Sequence, residues 1–190
     1  MRRFASLFGR RGVLAAAIVA GGVLVLAAAQ ELVGAATTSL FVVGAGPIPP
    51  MWLESIWGGA AVGIYAFRLP FALGVFASLW LVAPVAAELR LAHVVTRSVL
   101  AAGIGASLVV VVRTVWDSIG ALSVVGPWFG HAFPELPFES LGQSLVRGVQ
   151  AGIGAFVYQF VAVMLGSIFL WIWLRDHPSR HAVSGMLDEV

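Results

Sequence analysis

The sequence predicts an all-α integral membrane protein with four transmembrane helices, arranged as two tandem helix hairpins. Three observations lead to this fold class. The 190 residues are 60% hydrophobic and 11% charged, and soluble domains carry roughly twice that charged share. Apolar stretches long enough to cross a bilayer recur four times along the chain. Short sequences in the first half of the chain also return in the second half.

The four spans follow from length and hydropathy. A hydrocarbon core about 30 Å thick requires roughly 20 apolar residues of α-helix. We place the spans at residues 12–29, 69–87, 98–116 and 151–174. The chain 1–190 is then a single membrane domain, and residues 176–190 form a short tail.

Arginine placement predicts the orientation of the spans. Eight of the eleven arginines precede the first span, lie between the second and third, or follow the fourth. Basic residues are enriched in cytoplasmic loops. We therefore expect both termini to be cytoplasmic, with the chain in the plasma membrane of a bacterium. The complete absence of lysine is typical of a GC-rich bacterial genome.

An internal repeat predicts the pairing of the spans. Residues 11–20 (RGVLAAAIVA) match 97–106 (RSVLAAGIGA) at seven of ten positions. The match continues outside the apolar runs, where 48–55 (IPPMWLES) corresponds to 133–140 (FPELPFES). We assign the halves to residues 11–88 and 97–175. Because each half crosses the membrane twice, the copies are parallel rather than inverted.

The beginning of the chain also has the features of a secretory signal peptide. Arginines precede an apolar run, and Ala27-Ala28-Ala29 before Gln30 offers a cleavage site. The repeat makes residues 12–29 the counterpart of an internal span, so we expect a retained helix. Cleavage of residues 1–29 stays open as the alternative.

Two segments between the spans show helical spacing of their apolar residues. They cover residues 53–67 and 138–149, each preceded by prolines. We predict amphipathic outer segments that either connect two spans at the interface or form a pore cover, a re-entrant segment or a docking surface.

Few polar residues are candidates for a ligand or ion-pair site. Arg113 and Asp117 are four residues apart and share a helix face, so they form either an ion pair or an anion or headgroup site. Glu31 aligns with Asp117 in the repeat and can pair with Arg113, Arg68 or Arg147. Tyr158 and Gln159 are intramembrane polar residues that either link helices or bind a substrate.

Glycine pairs predict close helix contacts. Gly59 with Gly63, and Gly148 with Gly152, have the four-residue spacing of small residues at membrane helix interfaces.

Other chemistry is absent from the sequence. There is no cysteine, and none of the four histidines lies within a span. No catalytic motif, phosphate loop or metal-ligand set occurs, and a net charge of +2 does not favour nucleic acid. We expect no catalytic residue, no metal and no cofactor.

These features favour a non-catalytic accessory or structural subunit of a membrane complex. The alternative is a protomer of an oligomeric channel or transporter, which the repeat and the Arg113, Asp117 and Glu31 cluster would suit. An intramembrane enzyme is the least favoured class. The expected partners are the lipid bilayer and either another membrane protein or further copies of this chain.

Overall fold

The computed structural model describes residues 13–44, 49–83, 85, 89–125 and 138–176, with side chains described at all of these except 120–125 and 138–140. Within these ranges the protein is all-helical and contains no strand. The long helices are α1 (Val13–Gly44), α2 (Pro50–Val82), α3 (Leu91–Val125) and α4 (Phe138–Asp176). Each is long and apolar enough to cross a membrane, which confirms the predicted four candidate spans in the described part of the chain.

The helices form an antiparallel bundle in which each packs against the next and α4 returns to α1. The cross-contacts join Glu31 to Arg68, Phe71 to Gly105, Val110 to Gly152, and Val19 to Gly166. Val13 and Asp176 therefore lie at the same end of the bundle, which we call the termini side. Gly44 and Pro50 lie at the opposite end, which we call the far side.

Alanine and valine make up most of the buried interior of the bundle, together with the larger Phe71, Leu79 and Leu170. The fully buried residues include Val75, Val94, Val109, Val163 and two adjacent alanines, Ala101 and Ala102. In lipid the hydrophobic effect does not drive helices together, so close van der Waals packing of small residues does. Large apolar side chains such as Leu14 and Phe41 are instead more than 70% exposed, which suits a surface covered by lipid.

Two π-helical stretches occur in α2, one in its middle and one as its last turn. Ile64–Arg68 is π-helical, and the Leu69 N–H bonds to the carbonyl of Ile64. Pro70 follows directly; it has no N–H and its ring would clash with the carbonyl four residues before it in a regular α-helix. The wider π turn accommodates this proline within one helix. The second π stretch, Ser78–Val82, ends the helix where Ala83 leaves the helical region of backbone space.

The helices extend beyond the predicted spans at most of their ends, whereas α2 ends at Val82 and not at the predicted residue 87. The second span was expected to begin at residue 69, but helix runs from Pro50 onward. The outer segments predicted at 53–67 and 138–149 are helical and continuous with the spans that follow them. Their amphipathic character and interfacial position stay predictions, as does the tandem repeat.

Several sequence-based expectations lie outside the described residues. These are the arginines before residue 13, the connection at 86–88, the repeat match at 133–137 and the tail beyond Asp176.

Candidate functional site: charged and amide pairs between the helices

One charged pair joins α1 to α2 near the middle of both helices. Glu31 is the nineteenth of the 32 residues of α1, and Arg68 is the nineteenth of the 33 residues of α2. Nε and Nη2 of Arg68 donate to Oε1 of Glu31 over 2.9 and 2.6 Å. The Arg68 side chain is 19% exposed and that of Glu31 is 28% exposed. Pairing reduces the high cost of placing either charge alone among apolar helices.

The backbone of α2 makes room for this pair. A Cβ atom on Gly63 would lie 3.2 Å from Cδ of Glu31. The carboxylate therefore packs close to the backbone of α2, and a methyl group added at position 63 would require it to shift by a few tenths of an ångström. Arg68 is the last residue of the π-helical stretch. The return from π-helix to α-helix therefore comes directly after the residue that binds the Glu31 carboxylate. Of the three arginines considered for Glu31, the structure places Arg68 beside it.

The second charged pair lies within α3. Nε of Arg113 is 2.9 Å from Oδ2 of Asp117, one helical turn away. The guanidinium carbon of Arg113 also lies 4.9 Å above the ring centre of Phe67 on α2. Such a cation–π contact adds to the ion pair in holding the guanidinium against α2. Arg113 is 26% exposed and Asp117 is 12% exposed, so both side chains pack mainly against protein.

An amide bridge joins α1 to α4 at mid-length. Gln30 is the eighteenth residue of α1, and Gln159 is the twenty-second of the 39 residues of α4. Nε2 of Gln159 donates to Oε1 of Gln30 over 2.9 Å. Gln159 is fully buried, and its Oε1 atom has no hydrogen-bond partner among the described residues. An unpaired buried carbonyl is costly in an apolar interior.

Tyr158 and Gln159 point in different directions. Tyr158 is 76% exposed, whereas Gln159 is fully buried. Consecutive residues of an α-helix are about 100° apart, since 3.6 residues make a turn. The two side chains therefore do not form one polar pair, and Gln30 is the partner that the structure brings to Gln159. Sequence reasoning missed Gln30, which it treated only as the residue after a cleavage site.

The predicted glycines differ in their surroundings. A Cβ atom on Gly148 would overlap Oγ1 of Thr114 and lie 2.9 Å from the carbonyl oxygen of Val110. One on Gly152 would overlap Cγ2 of Val110 and lie 3.0 Å from the carbonyl oxygen of Ala106. These two positions therefore need glycine for the close approach of α3 and α4.

The other predicted pair has a different environment. Gly63 contacts the Glu31 carboxylate, and no described atom lies within 4 Å of a Cβ atom built on Gly59.

A further close contact, between α2 and α3, involves glycines outside the predicted pairs. A Cβ atom on Gly74 would lie 2.6 Å from Cα of Gly105, and one on Gly105 would lie 2.8 Å from the carbonyl oxygen of Phe71. Gly74 lies four residues before Ser78, so the small-residue spacing could have identified it.

Metal-ligating chemistry is not evident in the described part of the chain. No group of three or more histidine, aspartate or glutamate side chains comes together there. The charges described above instead pair with each other, and the amides form a bridge between helices.

Fold and site together define the class: an all-helical protein, in its described ranges, with four candidate membrane-spanning helices. This architecture suits a multi-pass membrane protein. Comparison with known proteins adds no relative, because no family model, curated protein or solved structure matches the chain.

Proposed function

We propose that this protein is a non-catalytic accessory or structural subunit of a membrane complex. One observation carries the proposal: an apolar groove of about 570 Å³ opens on the flank of the bundle between α1 and α4. Meanwhile Glu31 and Asp117 each pair with an arginine of the same chain. The chain thus compensates these charges internally and offers an apolar surface for packing against another membrane protein.

Extraction without detergent tests this role. The tagged protein would be taken from its own host in polymer-bounded native discs, and native mass spectrometry would give composition and stoichiometry. We expect a fixed ratio of this chain to one other integral membrane protein. Recovery as a monomer, or as a symmetric assembly of this chain alone, would contradict the accessory role.

A channel or transporter protomer is the second candidate, and the Glu31–Arg68 pair favours it. Ionisable residues midway along membrane helices commonly mark ion or substrate pathways. Purified protein in liposomes would then show flux that Glu31→Gln abolishes. Thr37→Val on the same helix is a suitable control, since among the described residues the Thr37 hydroxyl donates to the carbonyl of Val33 one turn earlier in the same helix.

We further propose that both termini face the cytoplasm of a bacterium and that the chain is an internal duplication. The arginine bias supports the orientation, and the common end of Val13 and Asp176 is consistent with it. The duplication rests on the sequence matches; Glu31 and Asp117 align in the repeat, but Glu31 contacts an arginine on the next helix and Asp117 contacts one on its own helix. Reporter fusions after residues 45 and 93 test the orientation; an external position for residue 93 would contradict it.

A further inference from the structure

The groove between α1 and α4 lies on the half of the bundle toward the termini side. Its lining is entirely apolar apart from the indole of Trp173, and Ile18 and Phe169 at its edges are 56% and 66% exposed. The lining residues on α1 are Ile18, Val19, Gly22, Val23 and Leu26, and those on α4 are Ala162, Leu165, Gly166, Phe169, Leu170 and Trp173. The groove is therefore open on the outer surface of the bundle and is not an enclosed cavity.

No contact within the described part of the chain requires glycine at position 22. A Cβ atom built there meets no described atom within 4 Å, in contrast to Gly152, where α3 approaches closely. Glycine within a helix costs about 1 kcal/mol relative to alanine. Several other glycines have the same open space, among them Gly21, but Gly22 is one that lines the groove, where an object from outside the chain can come close to the backbone of α1.

The amide bridge between Gln30 and Gln159 lies about one helical turn beyond the groove. Gln30 follows Leu26 by four residues and Gln159 precedes Ala162 by three, so each continues the lining face of its helix. Gln30 is exposed at mid-helix. Its Oε1 accepts from Gln159, and its own amide hydrogens have no acceptor among the described residues. These hydrogens are partially positive, and in a bilayer crossed by the candidate span α1 they would face lipid tails, which cannot accept a hydrogen bond.

We propose that a transmembrane helix of a partner protein occupies this groove and presents an asparagine or glutamine carbonyl to the amide hydrogens of Gln30. This inference rests on the proposed accessory role and names its docking surface. From Ile18 to Gln30 the helix rises about 18 Å, or roughly three turns, which a docked helix can follow. The uncharged lining requires an apolar partner face, and the amide hydrogens require one oxygen of complementary partial charge.

A lipid acyl chain fits this arrangement less well. It could fill the apolar groove, but it carries no acceptor at the depth of Gln30. Interhelical hydrogen bonds from glutamine and asparagine contribute to association in membranes, and a small residue such as Gly22 lets the partner backbone come close.

Adjacent glycines provide a matched pair of variants. Gly21 and Gly22 both have open space where a Cβ atom would stand, but only Gly22 lines the groove. Gly22→Leu would fill the groove and should lower the recovered ratio of partner to tagged chain about tenfold, equivalent to 1.4 kcal/mol of binding free energy. Gly21→Leu should leave that ratio unchanged. Equal ratios in the two variants would overturn the assignment of the groove.

Photocrosslinking gives an independent readout in the otherwise native chain. A benzophenone amino acid at Leu26, in the groove, should crosslink to a transmembrane segment of the partner within a turn of an asparagine or glutamine. The same probe at Val25, which is exposed outside the groove, should not reach that segment. Products containing only lipid, or a second copy of this chain, would contradict the proposal.

The two proposals can fail separately. Recovery of the unmodified protein without any stoichiometric partner would refute the accessory role. Recovery of a partner whose ratio is insensitive to Gly22→Leu would leave the accessory role intact and refute the groove as its docking surface.

Discussion

Replacing Gly152 by alanine should destabilise the bundle through a single methyl group. The new Cβ atom would overlap Cγ2 of Val110 and lie 3.0 Å from the carbonyl oxygen of Ala106. The Val110 side chain can change its rotamer, but the Ala106 carbonyl belongs to the backbone of α3. The two helices must therefore separate slightly along their contact.

The expected change in the free energy of unfolding is the difference between two opposing effects. Overpacking of a well-packed interior costs about 1–3 kcal/mol. Alanine offsets part of this, because it favours helix over glycine by up to about 1 kcal/mol. We therefore expect Gly152→Ala to lower the free energy of unfolding by up to about 2 kcal/mol.

Gly154 offers a control on the same helix. A Cβ atom there meets no described atom within 4 Å, so Gly154→Ala should be neutral or slightly stabilising. The assay is unfolding by sodium dodecyl sulfate in mixed micelles, followed by tryptophan fluorescence and circular dichroism. Equal unfolding free energies for Gly152→Ala and Gly154→Ala would refute the close α3–α4 contact.

Three further predictions use the same unfolding assay. Arg68→Gln should destabilise more than the double change Glu31→Gln with Arg68→Gln, because the single change leaves a mid-helix carboxylate unpaired; the reverse order would contradict the ion pair. Gln30→Leu should cost more than Gln159→Leu, because only the first leaves a fully buried amide without any partner; equal losses would argue against the bridge. Tyr158→Phe should leave stability unchanged, since Tyr158 is 76% exposed, and a loss above about 1 kcal/mol would show an unexpected contact of its hydroxyl.

Hydropathy located four spans in the described chain but not the ends of their helices. The first span was expected to stop at residue 29, because Gln30 and Glu31 interrupt the apolar run. The helix continues through both residues to Gly44. Their polar groups find partners on other helices, Gln159 and Arg68, and a local hydropathy pattern carries no information about partners so far away in sequence.

The candidate site could be predicted from the sequence only where its contacts are local. Arg113 and Asp117 are one turn apart, so their spacing alone indicates an ion pair. Glu31 and Arg68 are 37 residues apart, and choosing between arginines required the packing of α1 against α2. For Tyr158 and Gln159 the helical period predicts divergence, but only the bundle shows that Gln159 is the one that faces inward.

The contact of α1 with α4 is the element on which the groove, the amide bridge and the proposed role all depend. The native chain contains no cysteine, so two introduced cysteines report on this contact without background. A Cβ atom on Gly166 would lie 3.3 Å from Cγ1 of Val19, which brings the two Cβ positions close to the 3.5–4.5 Å typical of a disulfide.

The most direct measurement is therefore oxidative crosslinking of Val19→Cys with Gly166→Cys in native membranes, with Val25→Cys and Gly166→Cys as the control pair. Peptide mass spectrometry would identify the linked segments. We expect efficient linkage between α1 and α4 in the test pair and little in the control. Absence of the link, or a mature chain that lacks residue 19, would contradict a retained first helix packed against the fourth.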